Sequence, residues 1–246
     1  MSIRNMKGKV NYKIPVKNVI VSVFDKTGLE TFIPGLIKAS PDVKFMSTGG
    51  TFKKIQSILE DSQLDVEQYL MQVSEYTDFP EMEGGLVKTL HPKIHAGLLG
   101  ERNNPAHQEY LKNELEGGVF IDMVISNLYP FSEVIAKPDS TFEQARGNID
   151  IGGPTMMRAG AKNFPSCMVV SNPENYEGIL TYMNVNGGVT GFIQRLKGAA
   201  EVFDKTGGYD NIISNHFNKI IAGGIDNILA QYDFVEGSMN GGGLSK

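Results

Sequence analysis

The chain has 246 residues, of which 41% are hydrophobic and 21% are charged, so it is long and apolar enough to build a sizeable core. Its formal net charge of −5 argues against broad nucleic-acid binding, which requires a basic surface. The sequence has no run of about 18 consecutive apolar residues, so we expect no segment that spans a membrane.

The single cysteine, Cys167, lies in an apolar run, which favours core packing over a reactive thiol and fits a reducing cytoplasm. Residues 1–15 are basic but contain no long apolar stretch, so we expect a loose basic leader rather than a signal peptide. Residues 223–246 are polar and rich in glycine, and we expect a flexible tail there.

The first predicted unit is a buried strand over residues 19–24 followed by a helix. The strand is predicted because this run is mostly apolar and rich in β-branched residues. Thr27 and Glu30 have the spacing of a capping box, which predicts a helix from there toward Lys38. Lys26 is therefore expected in the turn at the carboxyl end of the strand.

A second strand is predicted over residues 44–48, and a helix is expected to follow Gly49, Gly50 and Thr51. Two glycines let the backbone approach a ligand closely, and the free amides of a helix start attract a phosphate group. The hydroxyls of Thr48 and Thr51 would add donors. The same glycine pattern also occurs in plain turns, so both interpretations remain open.

Residues 69–73 are predicted to form an edge strand, and the segment 79–100 that follows is dense in special residues. A glycine pair precedes Lys88, and two histidines, His91 and His95, come shortly after it. A lysine between a glycine turn and a packed segment has a fixed position, which is typical of an anion-binding or catalytic loop. The two histidines are expected to hold this loop rather than to act in catalysis.

Residues 104–115 have the pattern of a polar helix that opens at an Asn-Pro pair. A strongly apolar run over residues 121–129 predicts a buried strand, which the proline that follows must end. Asn127 and Tyr129 are therefore expected at the carboxyl end of this strand.

Ser140 and Glu143 have the spacing of another capping box, which predicts a short helix. Residues 148–154 form a glycine turn that contains Asp150, and Pro154 suits the first position of an alanine-rich helix. That helix carries Arg158, Lys162 and Asn163, and Arg158 is expected to pair with a carboxylate rather than to touch a ligand.

A further strand is predicted over residues 167–170, and from Pro173 onward the pattern is helical. Three apolar stripes at helical spacing are expected to pack in the core. They are Tyr176, Ile179, Leu180 and Met183; then Phe192, Ile193, Leu196, Ala199, Ala200 and Phe203; then Tyr209, Ile212, Ile213, His216, Phe217 and Ile220.

The alternation of strands and helices predicts an α/β fold in three layers, a parallel sheet with helices on both faces, followed by a helical C-terminal extension. We expect one domain over residues 16–222, with its sheet core ending near residue 172. In such sheets ligands bind beyond the carboxyl ends of the strands. Lys26, the 47–51 loop, Asn127 and Tyr129 are expected at that edge.

The residue types at this edge are lysines, a tyrosine, an aspartate and backbone donors, and the sequence shows no metal-binding pattern. Pro92 lies between His91 and His95, and neither an HExxH motif nor a P-loop motif is present. These groups suit acid–base chemistry on a phosphorylated compound without a redox cofactor.

Six motifs in order resemble those of the inosine monophosphate cyclohydrolase family over about residues 16–220. The resemblance implies a methylglyoxal-synthase-like fold and, in most organisms, a place as the N-terminal half of a bifunctional enzyme with an AICAR transformylase half. The motifs are SVFDKTG (22–28), STGGT (47–51), FPEMEGGLVKTLHPKIHAGLL (79–99), NLYPF (127–131), NIDIGGPTMMRAGAKN (148–163) and YDNIISNHF (209–217).

The family resemblance implies that the formylated imidazole ribonucleotide FAICAR closes its ring to inosine monophosphate with loss of water, without cofactor or metal. It implies catalytic roles for Lys88, Tyr129, Asp150 and Lys162. It also implies phosphate and ribose contacts from Lys26, Thr48, Gly49, Gly50 and Thr51, and base contacts from Lys88, Thr89, Ser126, Asn127, Asp150, Ile151 and Gly152.

The chemistry implied for these residues is proton transfer and oxyanion stabilisation. Lys162 is the best candidate for proton transfer to or from the reacting amide, with Asp150 as its partner. Lys88, Tyr129 and the amides after the glycine turn at 152–153 would stabilise the oxyanion. Holding the substrate in the cyclising conformer would supply much of the rate gain.

Two positions depart from the family pattern, which has a serine where this chain has Phe24 and an arginine where it has Leu86. We expect an active enzyme with altered substrate binding. The sequence does not contain the transformylase half, so the chain is either a stand-alone enzyme, for which a separate transformylase would form FAICAR, or a piece of a longer protein. A homodimer is compatible with the family.

Two alternatives remain. In the first, the chain is a nucleotide sensor that binds its ligand without turnover. In the second, it is a methylglyoxal-synthase-like lyase that acts on a triose phosphate. The presence of Lys88, Tyr129, Asp150 and Lys162 argues against the sensor. The lyase would need a different arrangement of aspartate and histidine, and the match to the cyclohydrolase motifs extends well past the shared fold.

Overall fold

The computed structural model describes residues 9–80, 82–83 and 86–232, and the chain divides into two compact units. The first unit comprises Met1–Leu128 and Asp150–Thr206. The second comprises Tyr129–Ile149 and Gly207–Lys246.

Seven short strands occur in the described residues of the first unit. Five of them form a parallel sheet and two form a separate antiparallel pair. The strands are β1 Lys13–Pro15, β2 Asn18–Val23, β3 Lys44–Ser47, β4 Leu70–Gln72, β5 Met123–Asn127, β6 Met168–Val170 and β7 Val189–Gly191.

The helices follow the strands in chain order, with one π-helical turn at Tyr110–Glu114 and one 3₁₀ turn at Pro173–Asn175. The helices are α1 Leu29–Ala39, α2 Gly49–Asp61, α3 Val66–Tyr69, α4 Val73–Thr77, α5 Pro92–Leu99, α6 Pro105–Glu109, α7 Phe131–Ile135, α8 Phe142–Gly147, α9 Gly152–Lys162, α10 Tyr176–Val185, α11 Phe192–Gly223 and α12 Asp226–Leu229.

The parallel sheet has the strand order β4-β3-β2-β5-β6 and is covered on both faces. Val19, Val21 and Val23 of β2 face a core formed with α1, α2 and α10. Ile20 of the same strand faces a second core, formed with α5, α9 and the first part of α11. The continuous apolar run of β2 follows from this burial on both faces. The predicted three-layer α/β fold is therefore confirmed, and β4 is the predicted edge strand.

The antiparallel pair of β1 and β7 gives part of the N-terminal segment a regular structure that the sequence did not predict. Lys13–Pro15 was expected to belong to a loose leader, yet it pairs with Val189–Gly191 in register. Within the predicted tail, Asp226–Leu229 forms α12, and residues 233–246 lie outside the described part of the chain. The domain limits at residues 16 and 222 stay predictions.

The second apolar stripe of the sequence is not the buried face of α11, so that prediction was wrong. Ile193, Leu196 and Phe203 are exposed, and only Ala199 of the stripe is buried together with Val202. The buried face is completed by two polar residues, Arg195 and Thr206, four positions before Ala199 and four after Val202. An apolar pattern cannot reveal a helix face that is anchored by a buried arginine.

The first stripe, on α10, is confirmed as core, with Leu180 partly buried against its neighbours. The third stripe lies in the second unit. Its Tyr209 is buried, whereas Ile212 is exposed, so that stripe is core only in part.

Neither predicted capping box forms at the residues that the sequence indicated. Gly28, at φ 80°, precedes the first residue of α1, and no side chain caps that helix. Thr27 instead donates its backbone N–H to the carboxylate of Asp25 at 2.9 Å, because an aspartate two residues earlier forms a local turn. In the second case the box uses Thr141 and Gln144, one residue after the predicted pair.

Cys167 is buried, and burial raises the pKa of its thiol, which confirms the predicted packing role. Over residues 9–80, 82–83 and 86–232, no helix combines the length and the apolar character that crossing a lipid bilayer requires.

Candidate active site

The carboxyl ends of three central strands meet at one edge of the first unit. Val23 of β2 pairs with Asn127 of β5, and Val21 pairs with both Ser47 of β3 and Ile125 of β5. Parallel strands that are aligned in this way deliver their following loops to the same edge. The carboxyl ends of β2, β3 and β5 therefore lie at one mouth, as the sequence predicted.

The start of α2 and the side chain of Lys26 form the first feature of this mouth. Thr48 precedes α2 in an extended conformation, and no side chain caps the helix. The Cε atom of Lys26 lies 3.9 Å from the position that a Cβ atom on Gly50 would occupy. An ammonium group beside the uncapped amides of a 13-residue helix is favourable for an anion.

Thr51 and Asn127 lie at the mouth, but both side chains are engaged with the backbone. The Thr51 hydroxyl donates to the Val23 carbonyl at 3.0 Å and accepts from the Val23 N–H at 3.2 Å. The Asn127 carboxamide accepts from the N–H groups of Phe24 and Asp25, at 2.7 and 3.0 Å. These bonds give both side chains a scaffold role, whereas the family resemblance implied substrate contacts.

Ser126 is the polar side chain of β5 that has hydrogen-bonding capacity to spare. It is only 1% exposed, and its hydroxyl finds no hydrogen-bond partner in the part of the chain that the structure describes. The substrate contact that the family resemblance implied for Ser126 stays a prediction.

The second feature of the mouth is the turn of Lys88 and Thr89 against the start of α9. Thr89 is buried, and its hydroxyl lies 2.8 Å from the position of a Cβ atom on Gly152, so only glycine fits there without a shift. Lys88 is half-buried. The structure therefore brings Thr89 to the glycine turn, and the role of Lys88 stays a prediction.

Asp150 organises the first turn of α9. Its Oδ1 accepts a hydrogen bond from the N–H of Gly153 at 2.9 Å. A Cβ atom on Gly153 would lie 2.5 Å from Asp150 Oδ2, so the second glycine makes room for the carboxylate. Ile151 is exposed and is followed directly by the backbone of Gly152. A carboxylate, a hydroxyl and helix-start amides thus lie together.

The loop that carries Lys88 is strained and ends in a helix. Val87 adopts φ 69°, which is rare for a β-branched residue and is often found at functional sites. The predicted loop of residues 79–100 is shorter than expected, because Pro92–Leu99 forms α5. The glycine pair at positions 84 and 85 lies outside the described residues.

His91 and His95 hold this loop in place, as the sequence predicted. The Nδ1 atom of His91 accepts from the N–H of Lys93 at 3.1 Å and so caps α5. His95 interacts with the backbone of Thr89, while its Nε2 is buried without a partner among the described residues. Burial lowers the pKa of both imidazoles, so both are expected to be neutral near pH 7.

The lowered pKa values of these histidines predict an acid-sensitive stability. An unfolded histidine, with a pKa near 6.5, binds protons before the folded one does. The stabilising contribution is therefore complete above about pH 6.5 and is lost as the pH falls through the folded pKa values. We expect the free energy of unfolding in urea to decline less between pH 7 and pH 5 in a His91→Asn/His95→Gln variant. Equal slopes for the two proteins would contradict this assignment.

Lys162 lies at the opposite end of α9 from Asp150. The helix has 11 residues, which corresponds to a length of roughly 16 Å. The structure therefore does not bring Lys162 to Asp150, although the sequence had paired them in proton transfer. Lys162 is exposed and lines an open groove of about 590 Å³ between α9 and α11, together with Phe164, Leu196 and Phe203.

Tyr129 belongs to the second unit, where its carbonyl accepts from the N–H of Phe131 at 2.8 Å. Its side chain is 48% exposed. In the same unit, the rings of Phe131 and Tyr209 meet edge to face with centroids 6.3 Å apart. The catalytic role that the resemblance implied for Tyr129 stays a prediction.

Asp25 is the mouth residue that sequence reasoning missed. Its hydrogen bonds with the side chain and backbone of Thr27 lower the pKa of its carboxyl group. It therefore places a fixed negative charge next to Lys26. The Asp-x-Thr spacing was the available signal, because it is typical of a side-chain turn.

Two family profiles match the chain in consecutive regions. The profile described as "MGS-like domain" matches residues 28–155, and the profile described as "AICARFT/IMPCHase bienzyme" matches residues 160–237. The first region holds α2, the Lys88 turn and Asp150. The second holds the end of α9 and almost all that follows.

Curated relatives and a solved structure agree with these matches. The bifunctional purine biosynthesis protein PurH of Chlorobium phaeovibrioides is 45% identical over 205 residues, which is 83% of this chain and 37% of the relative. PurH of Bacillus mycoides is 48% identical over 203 residues, 82% of this chain and 37% of that protein.

The crystal structure of ForH superposes with a TM-score of 0.67 at 26% identity, and the match covers 82% of this chain and 99% of that one. The chain spans little more than a third of the length of the PurH relatives that it matches.

Proposed function

Because the chain belongs to the MGS-like domain family, we propose that it acts in purine biosynthesis as an inosine monophosphate cyclohydrolase. In this reaction the carboxamide nitrogen of FAICAR forms a bond to the formyl carbon. The carboxamide nitrogen and the formamido nitrogen each give up one proton, the formyl oxygen leaves with both as water, and a C=N bond remains in the new ring. The observation that carries the proposal is the 45–48% identity to PurH relatives, and the uncapped start of α2 beside Lys26 and the contact of Thr89 with the start of α9 support it.

The anion site would hold the 5′-phosphate of the nucleotide. Lys26 supplies a positive charge, and the amides of Gly49, Gly50 and Thr51 begin an uncapped helix. Charge-assisted bonds of this kind are about twice as strong as neutral ones. The hydroxyl of Thr48 precedes these amides and would complete the cradle.

The base site would be formed by the Lys88 turn, Ser126 and the start of α9. Ser126 would contact the imidazole carboxamide, as the family resemblance implies, and the Thr89 hydroxyl lies against Gly152 at the start of α9. The backbone amides of Ile151 and Gly152 point out of a helix start and would stabilise the oxyanion together with Lys88. Asp150 would then remove a proton from the attacking nitrogen.

The proposed catalytic set also includes Lys162 and Tyr129. For Lys162, its position near the far end of α9 has to be reconciled with a catalytic role. Its side chain leans toward the start of α9, as helical side chains do, yet it begins near the far end of that helix. Turnover within about twofold of the unchanged chain in Lys162→Ala would remove this lysine from the mechanism, since proton-transfer groups contribute far more than that. A loss as large as that of an Asp150 variant would show that the substrate extends along the helix.

The leucine at position 86 predicts weaker substrate binding rather than a slower chemical step. Leu86 is 60% exposed in the turn before Lys88, where the resembling family has an arginine. We expect Leu86→Arg to lower the KM for FAICAR by about tenfold, as one charged hydrogen bond would, with kcat little changed. Leu86→Met is the matched control. A change in kcat with KM unaltered would contradict this role.

Two further features stay part of the proposal. They are a cytoplasmic location and assembly as a homodimer. The reaction as proposed needs no cofactor, because ring closure with loss of water changes no oxidation state.

Absorbance at the purine band, followed after the chain is mixed with FAICAR, tests the proposed function. We expect saturable formation of inosine monophosphate and no turnover of dihydroxyacetone phosphate. Release of methylglyoxal from the triose phosphate, with no closure of FAICAR, would replace the proposal with the lyase alternative.

A further inference from the structure

Asn127 lies at the centre of a hydrogen-bond network that fixes the turn after β2. Its Oδ1 accepts two successive backbone N–H groups, from Phe24 at 2.7 Å and from Asp25 at 3.0 Å. Its Nδ2 donates to the Asp25 carbonyl at 2.8 Å. One carboxamide thus holds both peptide groups of this turn from the neighbouring strand.

The capacity of this carboxamide leaves little for a ligand. An amide oxygen accepts two hydrogen bonds, and both positions on Oδ1 are filled by backbone donors. A substrate group could displace these bonds only by releasing the turn. Three of the four hydrogen-bonding positions of the Asn127 side chain thus hold the turn, and one N–H of Nδ2 remains beyond them.

The same turn holds Lys26 in place. The Phe24 peptide donates its N–H to Asn127, and its carbonyl accepts from Lys26 Nζ at 3.0 Å. Lys26 is half-buried, and its Cε lies beside the start of α2 near Gly50. A short chain of contacts thus runs from Asn127 through Phe24 to the ammonium group.

We propose that Asn127 is a positioning residue that controls phosphate binding through Lys26. This inference rests on the proposed function, in which Lys26 and the start of α2 hold the nucleotide phosphate. Asn127 fixes the Phe24 peptide, that peptide fixes the ammonium, and the ammonium meets the phosphate. The residue makes no contribution to the chemical step.

A double-mutant cycle on nucleotide binding tests the proposal. The dissociation constant of inosine monophosphate is measured by calorimetry for Asn127→Leu, Lys26→Met and the double variant. We expect Asn127→Leu to weaken binding about tenfold and Lys26→Met about thirtyfold. The double variant should bind no worse than Lys26→Met alone, because one residue acts through the other.

Asn18→Leu is the matched control, since Asn18 lies at the other end of β2 and donates through its side chain to the Phe120 carbonyl at 3.1 Å. It should leave nucleotide affinity unchanged. FAICAR turnover in Asn127→Leu should show a raised KM with kcat near that of the unchanged chain, which a general loss of structure would not give.

A readout that needs no ligand separates this inference from the proposed function. Hydrogen exchange at the Phe24 and Asp25 amides should accelerate in Asn127→Leu and stay slow in Asn18→Leu. Unchanged exchange, additive losses in the cycle, or unaltered affinity in Asn127→Leu would each overturn the positioning role. If the unchanged chain binds no nucleotide, the proposed function and this phosphate role fall together, while exchange still decides whether Asn127 holds the turn.

Discussion

Asp150→Asn is expected to lower kcat for FAICAR closure by about 10²–10⁴-fold, the range of general acid–base contributions. The amide keeps an oxygen for the N–H of Gly153, which Asp150 Oδ1 accepts at 2.9 Å, so the start of α9 should stay intact. The substitution removes the negative charge of the side chain and its ability to accept a proton. The expected result is a protein with normal unfolding and impaired turnover.

Asp65→Asn is the matched control for this substitution. Asp65 also accepts a backbone N–H at the start of a helix, from Gln68 at 3.2 Å, but it lies at α3 on the surface. Its variant should keep full turnover. A normal kcat in Asp150→Asn would show that another group removes the proton, and a lowered unfolding midpoint would show a structural role instead.

Arg195→Leu is expected to destabilise the first unit by roughly 3–5 kcal/mol, the cost of leaving several buried polar groups unpaired. Arg195 is fully buried on α11 and donates to four backbone carbonyls, those of Asn11, Phe164, Pro165 and Thr190, at 2.7–3.1 Å. Burial lowers its pKa to about 10, so it stays charged at neutral pH. Leucine would satisfy none of these carbonyls.

Urea unfolding measures this cost, with Lys197→Leu as the control on the exposed side of the same helix. The control should leave the midpoint nearly unchanged, because exposed substitutions contribute little. Arg195→Lys should fall between the two, since an ammonium cannot reach all four carbonyls. An unchanged midpoint in Arg195→Leu would mean that the segment around Asn11 is held by other contacts.

The sheet was predictable because local pattern and burial agree there. The apolar runs of β2 and β5 are buried on both faces, and Phe52, Ile55 and Leu59 mark the inner side of α2. The same pattern failed on α11, where Arg195 and Thr206 occupy core positions. A buried arginine depends on carbonyls that lie up to 184 residues away in the sequence, which no local pattern contains.

The site was predictable in its position but not in its division of roles. Lys26 and Gly49 could be assigned to one edge because ligands bind where parallel strands end, whereas Lys88 and Asp150 were independent candidates for the same mouth. Whether Asn127 or Ser126 is available to a ligand depends on bonds formed only in the folded chain. The separation of Asp150 and Lys162 could have been inferred from the sequence, because the predicted helix from Pro154 already carries Lys162 near its far end.

A single-turnover experiment tests the central claim most directly. The purified chain, in excess over FAICAR, is mixed rapidly and followed by absorbance until the purine ring has formed. The proposal predicts closure far above the uncatalysed rate, slowed strongly in Asp150→Asn and unaffected in Asp65→Asn. Closure at the uncatalysed rate, with tight binding of inosine monophosphate, would contradict it and identify a nucleotide sensor that kept the mouth without the reaction.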